Sequence, residues 1–380
     1  MSFKLKKRVI FITSKIPPEH SGAGKRIYNF FQYLKNNDYY NVNIITYTMK
    51  KHPGIISVKS VLNNRSYFRR LRIILQFVYS LVQIEILCRK KLFERDTVIW
   101  LTSASTLTFA AAIVFKFRKY KIVTQNTLLH SDDPGFRYPN DILNLKYCLK
   151  KLQYKLSNNV TCNSPALYQV TKDHHANVSI IPNPIRDDFI LEDVDLDEKR
   201  LNKNILSIGT LGYRKGTDIV LKAFQMISKI DSDFTLTLVG PNKRFNEIVR
   251  NENIQLTMKE LNKIKLVNYD TEILKYYLKS SILFLPSRRE GFASVFIEAM
   301  ATQTPVIGKK IAGVTDYIFC NKNSYIFDTE EPKVYADAIL SISKCKESYE
   351  NEVVINKLNI SKFKQNKVYN KYINLIETDA

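Results

Sequence analysis

The sequence is short of glycine, with 11 in 380 residues against an ordinary share of roughly 7%. That scarcity excludes collagen-like and glycine-rich low-complexity architectures, and it makes each remaining glycine a marker of backbone that must bend or be approached closely. The five cysteines (Cys88, Cys148, Cys162, Cys320, Cys345) are odd in number and far apart, with no CxxC pair. Zinc sites and redox dithiols therefore lack their usual ligand spacing, and free thiols of a reducing compartment are expected. Long apolar runs are missing too. The stretch Ile73 to Cys88 is interrupted by Gln76, Ser80, Gln83 and Glu85 and falls short of the ~20 residues a spanning helix needs. The basic start Lys4–Arg8 imitates a signal peptide, but the apolar residues after it stop at Ser14-Lys15, which fits a first β-strand better. A cytoplasmic chain without a transmembrane segment is expected.

Acidic residues are short in one half only. Residues 1–190 hold 30 basic and 11 acidic side chains (+19), residues 191–380 hold 28 and 25 (+3), and the whole chain carries +22. A cationic first half favours anionic partners: a membrane surface, phosphorylated lipid or nucleic acid. The Lys/Arg clusters match no RRM, KH, zinc or helix-turn-helix pattern, so nucleic-acid binding is the weaker reading.

What is present is a regular alternation of strands and helices. Val9–Thr13 reads as a strand, and Lys25–Asn36 as a helix with Ile27, Phe30, Phe31 and Leu34 on one stripe. Val42–Thr46, Thr97–Leu101, Lys121–Thr124, Val160–Thr161 and Val178–Ile181 read as further strands, with helices expected over Phe68–Cys88 and Ser105–Phe115. The pattern breaks at Pro182-Asn183-Pro184 and the acidic run Asp187–Glu198, then restarts with strands at Asn204–Ile208, Thr235–Val239, Ile264–Asn268, Ile282–Leu285 and Val306–Ile307. Short apolar strands separated by helices mean parallel sheets covered on both faces. The expected α/β architecture is two doubly wound Rossmann-like domains facing each other across a cleft: 1–190, 191–362, and a last helix over 363–380 packing back on the first domain.

Nine of the eleven glycines fall at strand-to-helix junctions, among them Gly22, Gly24, Gly209, Gly212, Gly216, Gly240 and Gly291. Backbone amides there can face an anion. Two familiar phosphate motifs do not fit: a P-loop ending at Gly24-Lys25 would need glycine at Glu19 and Ser/Thr at Arg26, and the 209–216 loop is not GxGxxG. The sharpest local pattern is Arg289-Glu290-Gly291-Phe292-Ala293-Ser294-Val295-Phe296-Ile297-Glu298. It places Glu290 on the loop after a strand and Glu298 one turn into the next helix, beside amides of residues 292–295. Carboxylates accept paired hydrogen bonds from a vicinal diol, and a helix start favours phosphate, so the combination suggests a sugar nucleotide.

The E-x7-E pair Glu290/Glu298, the Arg214-Lys215-Gly216 loop, the Ser21-Gly22-Ala23-Gly24 loop, Pro182-Asn183 and the Phe363–Asn366 segment together resemble the retaining GT-B glycosyltransferases of family 4 (glycosyl transferases group 1). The resemblance implies a retaining, metal-independent hexosyltransferase without cofactor. Its donor would be a nucleotide sugar such as a UDP-sugar, and its acceptor a glycan or lipid-linked hydroxyl in surface polysaccharide synthesis. It implies that Glu298 holds the nucleotide ribose, that Glu290 binds donor-sugar hydroxyls with Phe292 and Ala293 beside it, and that Arg214 and Lys215 stabilise the departing diphosphate. Gly22, Gly24, Gly209, Thr210, Gly291 and Ser294 would complete the donor site, and His130 could line the acceptor side. Thr210 stands where many members have arginine, and Ala312–Asp316 replaces the usual Gly-Gly-x-x-Glu. The +19 half would dock on an anionic membrane, giving a peripheral enzyme at the inner face. An inactive partner subunit of the same fold is the alternative.

Overall fold

A computed structural model describes residues 6–17, 19, 22–49, 52–60, 69–89, 93, 94, 96–128, 145–242, 245–268, 270–316, 325–357 and 360–378. The chain forms two compact units, Met1–Asn183 with Tyr369–Ala380, and Pro184–Val368. In the first, the strands are β1 (Lys7–Ile12), β2 (Tyr40–Thr46), β3 (Ile55–Ser57), β4 (Val98–Thr102), β5 (Lys121–Asn126), β6 (Asn159–Cys162) and β7 (Val178–Ile180). They lie in the order β3-β2-β1-β4-β5-β6-β7, all parallel, with Val9 opposite Val42 on one side and Val98 on the other. The crossovers carry α1 (Gly22–Lys35), α2 (Arg69–Arg89), α3 (Thr106–Phe117), α4 (Leu145–Leu156) and α5 (Pro165–Lys172). Helices on both faces explain strands such as Val98–Thr102 that are buried at every position. Local chemistry sets the helix starts. Ser105 and Thr108 form a reciprocal capping box at α3, and Ser164 caps α5 ahead of Pro165.

The second unit repeats the scheme. Its strands are β8 (Asn204–Ile208), β9 (Thr235–Val239), β10 (Ile264–Val267), β11 (Ile282–Leu285), β12 (Val306–Lys309) and β13 (Ile326–Phe327), in the order β10-β9-β8-β11-β12-β13. Its helices are α6 (Leu196–Leu201), α7 (Thr217–Ile230), α8 (Phe245–Asn251), α9 (Met258–Leu261), α10 (Leu274–Leu278), α11 (Ser294–Ala301), α12 (Pro332–Lys344) and α13 (Lys346–Lys357). The strand order reverses between β8 and β11. The loops that follow these two strands, 209–216 and 286–293, therefore leave the same sheet edge side by side, the position at which open α/β sheets bind ligands.

Both sequence-expected parallel sheets are present. The units divide at 183/184 and 368/369, where the sequence suggested 190/191 and 362/363, and side-chain packing accounts for the difference. Phe189 meets the Tyr277 ring edge-on at 5.8 Å, the Ile185 amide donates to the Phe363 carbonyl at 2.8 Å, and Phe363 packs against Phe292 at 6.0 Å. These contacts tie 184–190 and 363 to the second unit. The last helix, α14 (Gln365–Glu377), starts in that unit and passes into the first at Tyr369. There Tyr369 and Tyr372 lie 4.8 and 5.1 Å from the Phe30 ring, and Tyr372 meets Trp100, the single tryptophan of the chain, edge-on at 5.2 Å.

Candidate functional site

Backbone constraints bring the two neighbouring loops of the second unit together. After β8 the chain turns through Gly209, at φ +148°, and a short 3-10 turn at Tyr213–Lys215, then enters α7 through Gly216, at φ +69°. A Cβ on Gly216 would stand 2.3 Å from the Pro286 carbonyl oxygen, so the backbones of the two loops touch where only glycine fits. The Arg288 amide donates to the Arg214 carbonyl at 2.9 Å and joins them further.

That register lays two cations on a buried acid. Lys215 Nζ donates to Glu290 Oε1 at 2.5 Å, Arg214 Nη1 stands 3.6 Å from Glu290 Oε2, and the same Nη1 donates to the Arg289 carbonyl at 2.8 Å. Burial of Glu290 on its own would raise its pKa. The Lys215 and Arg214 charges outweigh that and hold the carboxyl below the usual range. The Lys215 side chain is nearly enclosed, while that of Arg214 is 39% exposed. One negative charge thus orients two positive ones at a sheet edge. Glu298 sits on α11 close by in sequence, and the Tyr277 hydroxyl donates to its Oε2 at 2.7 Å. Tyr277 is wholly buried, and burial and the Glu298 charge push its hydroxyl well above its ordinary pKa, so it stays a donor.

Comparison with known proteins bears on this unit. Residues 191–354 match the model of the family described as "Glycosyl transferases group 1". The second unit carries a glycosyl transferases group 1 domain. Among curated relatives of this chain are an uncharacterized glycosyltransferase of Haemophilus influenzae, 34% identical over 129 residues (33% of this chain, 35% of that protein), and the capsular polysaccharide biosynthesis glycosyltransferase CapM of Staphylococcus aureus, 26% identical over 156 residues (40% of each). The chain spans about two fifths or less of the length of these relatives. Solved structures match over nearly the whole chain and establish the GT-B fold. Anabaena HepE in complex with UDP and glucose has a TM-score of 0.75 at 15% identity, covering 98% of this chain and 99% of that one. WaaG, a glycosyltransferase involved in lipopolysaccharide biosynthesis, has a TM-score of 0.72 at 11% identity, covering 98% and 100%.

Within the group 1 domain the sequence-expected residues distribute unevenly. Arg214, Lys215 and Glu290 form one ion-paired cluster, whereas Glu298 is bound to Tyr277. Gly209 lies against the Lys215 side chain and Thr210 is exposed. The amides expected to stand open at the start of α11 are engaged within the chain: that of Ala293 donates to the Gly313 carbonyl at 3.2 Å, and that of Ser294 to the Phe292 carbonyl at 2.9 Å. A Cβ on Gly313 would fall 2.8 Å from the Gly291 carbonyl oxygen, so Gly291 and Gly313 form a second tight backbone crossing. Gly22 and Gly24 open α1 in the first unit, where among the described residues a Cβ on Gly22 would meet only Arg26 Nη1, at 3.8 Å. His130 and Ser21 lie outside the described residues.

Three features of the group 1 domain escaped the sequence reading. Arg288 holds Asp218 with two hydrogen bonds (2.8 and 2.7 Å), Glu330 at 2.8 Å and the Tyr213 carbonyl at 2.6 Å, with its guanidinium 3.6 Å from the centre of the Tyr213 ring. It clamps the turn that presents Arg214 and Lys215. Tyr277 is the second feature. The third is Lys199, buried in α6, whose Nζ donates to the carbonyls of Tyr277 at 2.9 Å and Thr302 at 3.0 Å. It caps the carboxyl ends of α10 and α11, the helices that carry Tyr277 and Glu298. Burial pushes the Lys199 amine down to about 7. The unfolded chain therefore holds this proton more tightly, and the cost of burying the charge, full below about 7, fades as pH rises toward 10.5. Replacing Lys199 with methionine leaves two buried carbonyls without their donor. About 2 kcal/mol of stability should be lost at alkaline pH, with a smaller loss below pH 7. Urea melts across pH check both.

Proposed function

We propose that this chain transfers a sugar from a nucleoside-diphosphate sugar to a hydroxyl of a glycan or lipid-linked acceptor, with retention at the anomeric carbon, in surface polysaccharide synthesis. The observation that carries this reading is the buried Glu290 carboxylate with Lys215 and Arg214 on it at the β8/β11 reversal. Two cations against one acid leave net positive charge facing the sheet edge, where an incoming diphosphate would find donors already aimed. As the anomeric C–O bond to phosphate breaks, negative charge concentrates on the leaving diphosphate. Cations fixed in a poorly solvated site stabilise that charge most when it has fully developed. In this reading Glu290 accepts from donor-sugar hydroxyls and Glu298, steadied by Tyr277, from the ribose diol. The acceptor oxygen bonds to the anomeric carbon on the face the diphosphate leaves. Its proton goes to the departing phosphate oxygen, so the scheme calls on no enzymic nucleophile, metal or organic cofactor.

The HepE structures, solved with UDP and with UDP-glucose, support a uridine donor, and the CapM name supports a capsule-type product. The basic first half supports work at the inner face of an anionic membrane, and among the described residues no helix is long and apolar enough to cross one. A panel of nucleotide sugars tests the reading. One base should raise the melting temperature by several degrees, since ligand at a hundred times its Kd contributes about 2.7 kcal/mol, and one sugar should be slowly hydrolysed. If no nucleotide sugar stabilises the protein or is consumed, the reading fails.

A further inference from the structure

Helix α2 turns an apolar face to the core, where Ile84 is buried and Phe77, Leu81 and Leu87 pack, and a second one to solvent. Its polar side chains Gln76 and Ser80 are fully buried, whereas Ile74, Leu75, Val78, Tyr79, Val82 and Ile86 are exposed, Val78 and Val82 at 50% each. At 100° per residue these six fall within an arc of about 140° and run along about 18 Å of helix. The inward polar groups are satisfied: Gln76 Nε2 donates to the Tyr47 hydroxyl at 3.0 Å, Tyr47 and Ser80 share a bond of 2.6 Å, and Gln83 binds both the amide and the carbonyl of Lys59 at 2.8 and 3.1 Å. The interruptions that make this segment too polar to span a membrane thus pair with the protein, and they leave a largely apolar strip to solvent, into whose C-terminal part only the ion-paired Glu85 and Arg89 intrude. Such a strip marks an interaction surface.

Charge selects the occupant. Residues 65–91 carry seven basic side chains (Arg65, Arg69, Arg70, Arg72, Arg89, Lys90, Lys91) and one acid, Glu85. Glu85 is neutralised in place, accepting from Arg118 at 2.6 Å and Arg89 at 3.4 Å. Next to Arg118 in the chain, Phe117 is 85% exposed at the end of α3, flanked by Lys116 and Lys119. A second copy would bring an equally cationic strip against this one, whereas an anionic headgroup layer neutralises the ends while the acyl boundary takes up the aliphatic residues.

We propose that the outer face of α2, with Phe117 beside it, lies in the headgroup–acyl boundary of an anionic bilayer and is the surface by which the enzyme reaches a membrane-held acceptor. The proposal deepens the membrane part of the function proposed above and rests on it. The test is flotation of the full chain with vesicles of phosphatidylcholine alone or mixed with phosphatidylglycerol, comparing wild type with Val78→Asp/Val82→Asp. Both positions are half exposed, so the variant should fold and keep the wild-type rate of donor hydrolysis. Wild type should float with the anionic vesicles, less so as salt rises, and not with phosphatidylcholine alone. The variant should bind at least about tenfold more weakly, even at low salt. Equal flotation of variant and wild type overturns the proposal. So does light scattering that shows a wild-type dimer which the variant dissolves, since the strip is then a self-contact. Wild type that floats as expected but hydrolyses no nucleotide sugar would count against the transferase reading instead.

Discussion

Glu290→Ala should suppress donor consumption about a hundred- to a thousandfold in kcat, the range found when one preorganised electrostatic group is removed from an active site. Glu290 stands on both sides of the proposed chemistry. It would accept from the sugar hydroxyls, and it sets the direction of Lys215 Nζ, 2.5 Å away, and of Arg214 Nη1 at 3.6 Å. Without it the two cations keep their charge but lose their common anchor, so affinity for a nucleoside diphosphate should fall far less than turnover. Calorimetry with the diphosphate beside a hydrolysis assay separates these effects, and equal losses would mean that Glu290 only binds. The variant has a signature in acid as well. Because Lys215 and Arg214 hold this carboxyl below its usual range despite its burial, it contributes stability that is complete above the ordinary glutamate pKa and is lost as pH falls through the lowered one. Denaturant melts of Glu290→Ala should lack that acid-side slope.

Gly216→Ala should cost about 3 kcal/mol or more, a fall of about 6–12 °C in Tm for a domain of this size. Two penalties add there: a left-handed φ of +69°, which an L side chain tolerates poorly, and a Cβ placed 2.3 Å from the Pro286 carbonyl oxygen. Relief requires the 209–216 loop to move off the 286–293 loop, and that movement takes Lys215 away from Glu290. Activity should fall even at temperatures where the variant is folded. Gly22→Ala provides the contrast, because among the described residues a Cβ at that position meets only Arg26 Nη1, at 3.8 Å. Its Tm should stay within about 2 °C of wild type. If Gly216→Ala melts like wild type, the close crossing of the two loops is not a constraint.

Apolar strands in regular alternation with helices are enough to read two parallel sheets from this sequence, because each strand needs only local β-branched residues and burial on both faces. The neighbourhood of Arg214, Lys215 and Glu290 was readable only in part: the topology sets the loops after β8 and β11 side by side, but nothing in the pattern says that the two cations pair with Glu290 while Glu298, on α11, goes to Tyr277. Tyr277 was not readable, because it meets Glu298 only through the packing of α10 against α11. Lys199 stood at the end of an acidic run that resembles a linker, and nothing local says that its amine reaches two helix ends. Arg288 sat beside Arg289-Glu290, where its adjacency hid its different role. The hydrophobic pattern of α2 gave the helix but not its rotation, since its inward polar groups find partners on Tyr47 and Lys59 that no periodicity records.

The path of α14 bears on how the protein is made. Residues 184–368 form one uninterrupted unit, whereas the earlier unit completes the aromatic packing around Phe30 and Trp100 only with Tyr369 and Tyr372. During vectorial synthesis this part of the earlier unit's core therefore stays unfilled until position 372 has been made, by which time the later unit has all of its own chain.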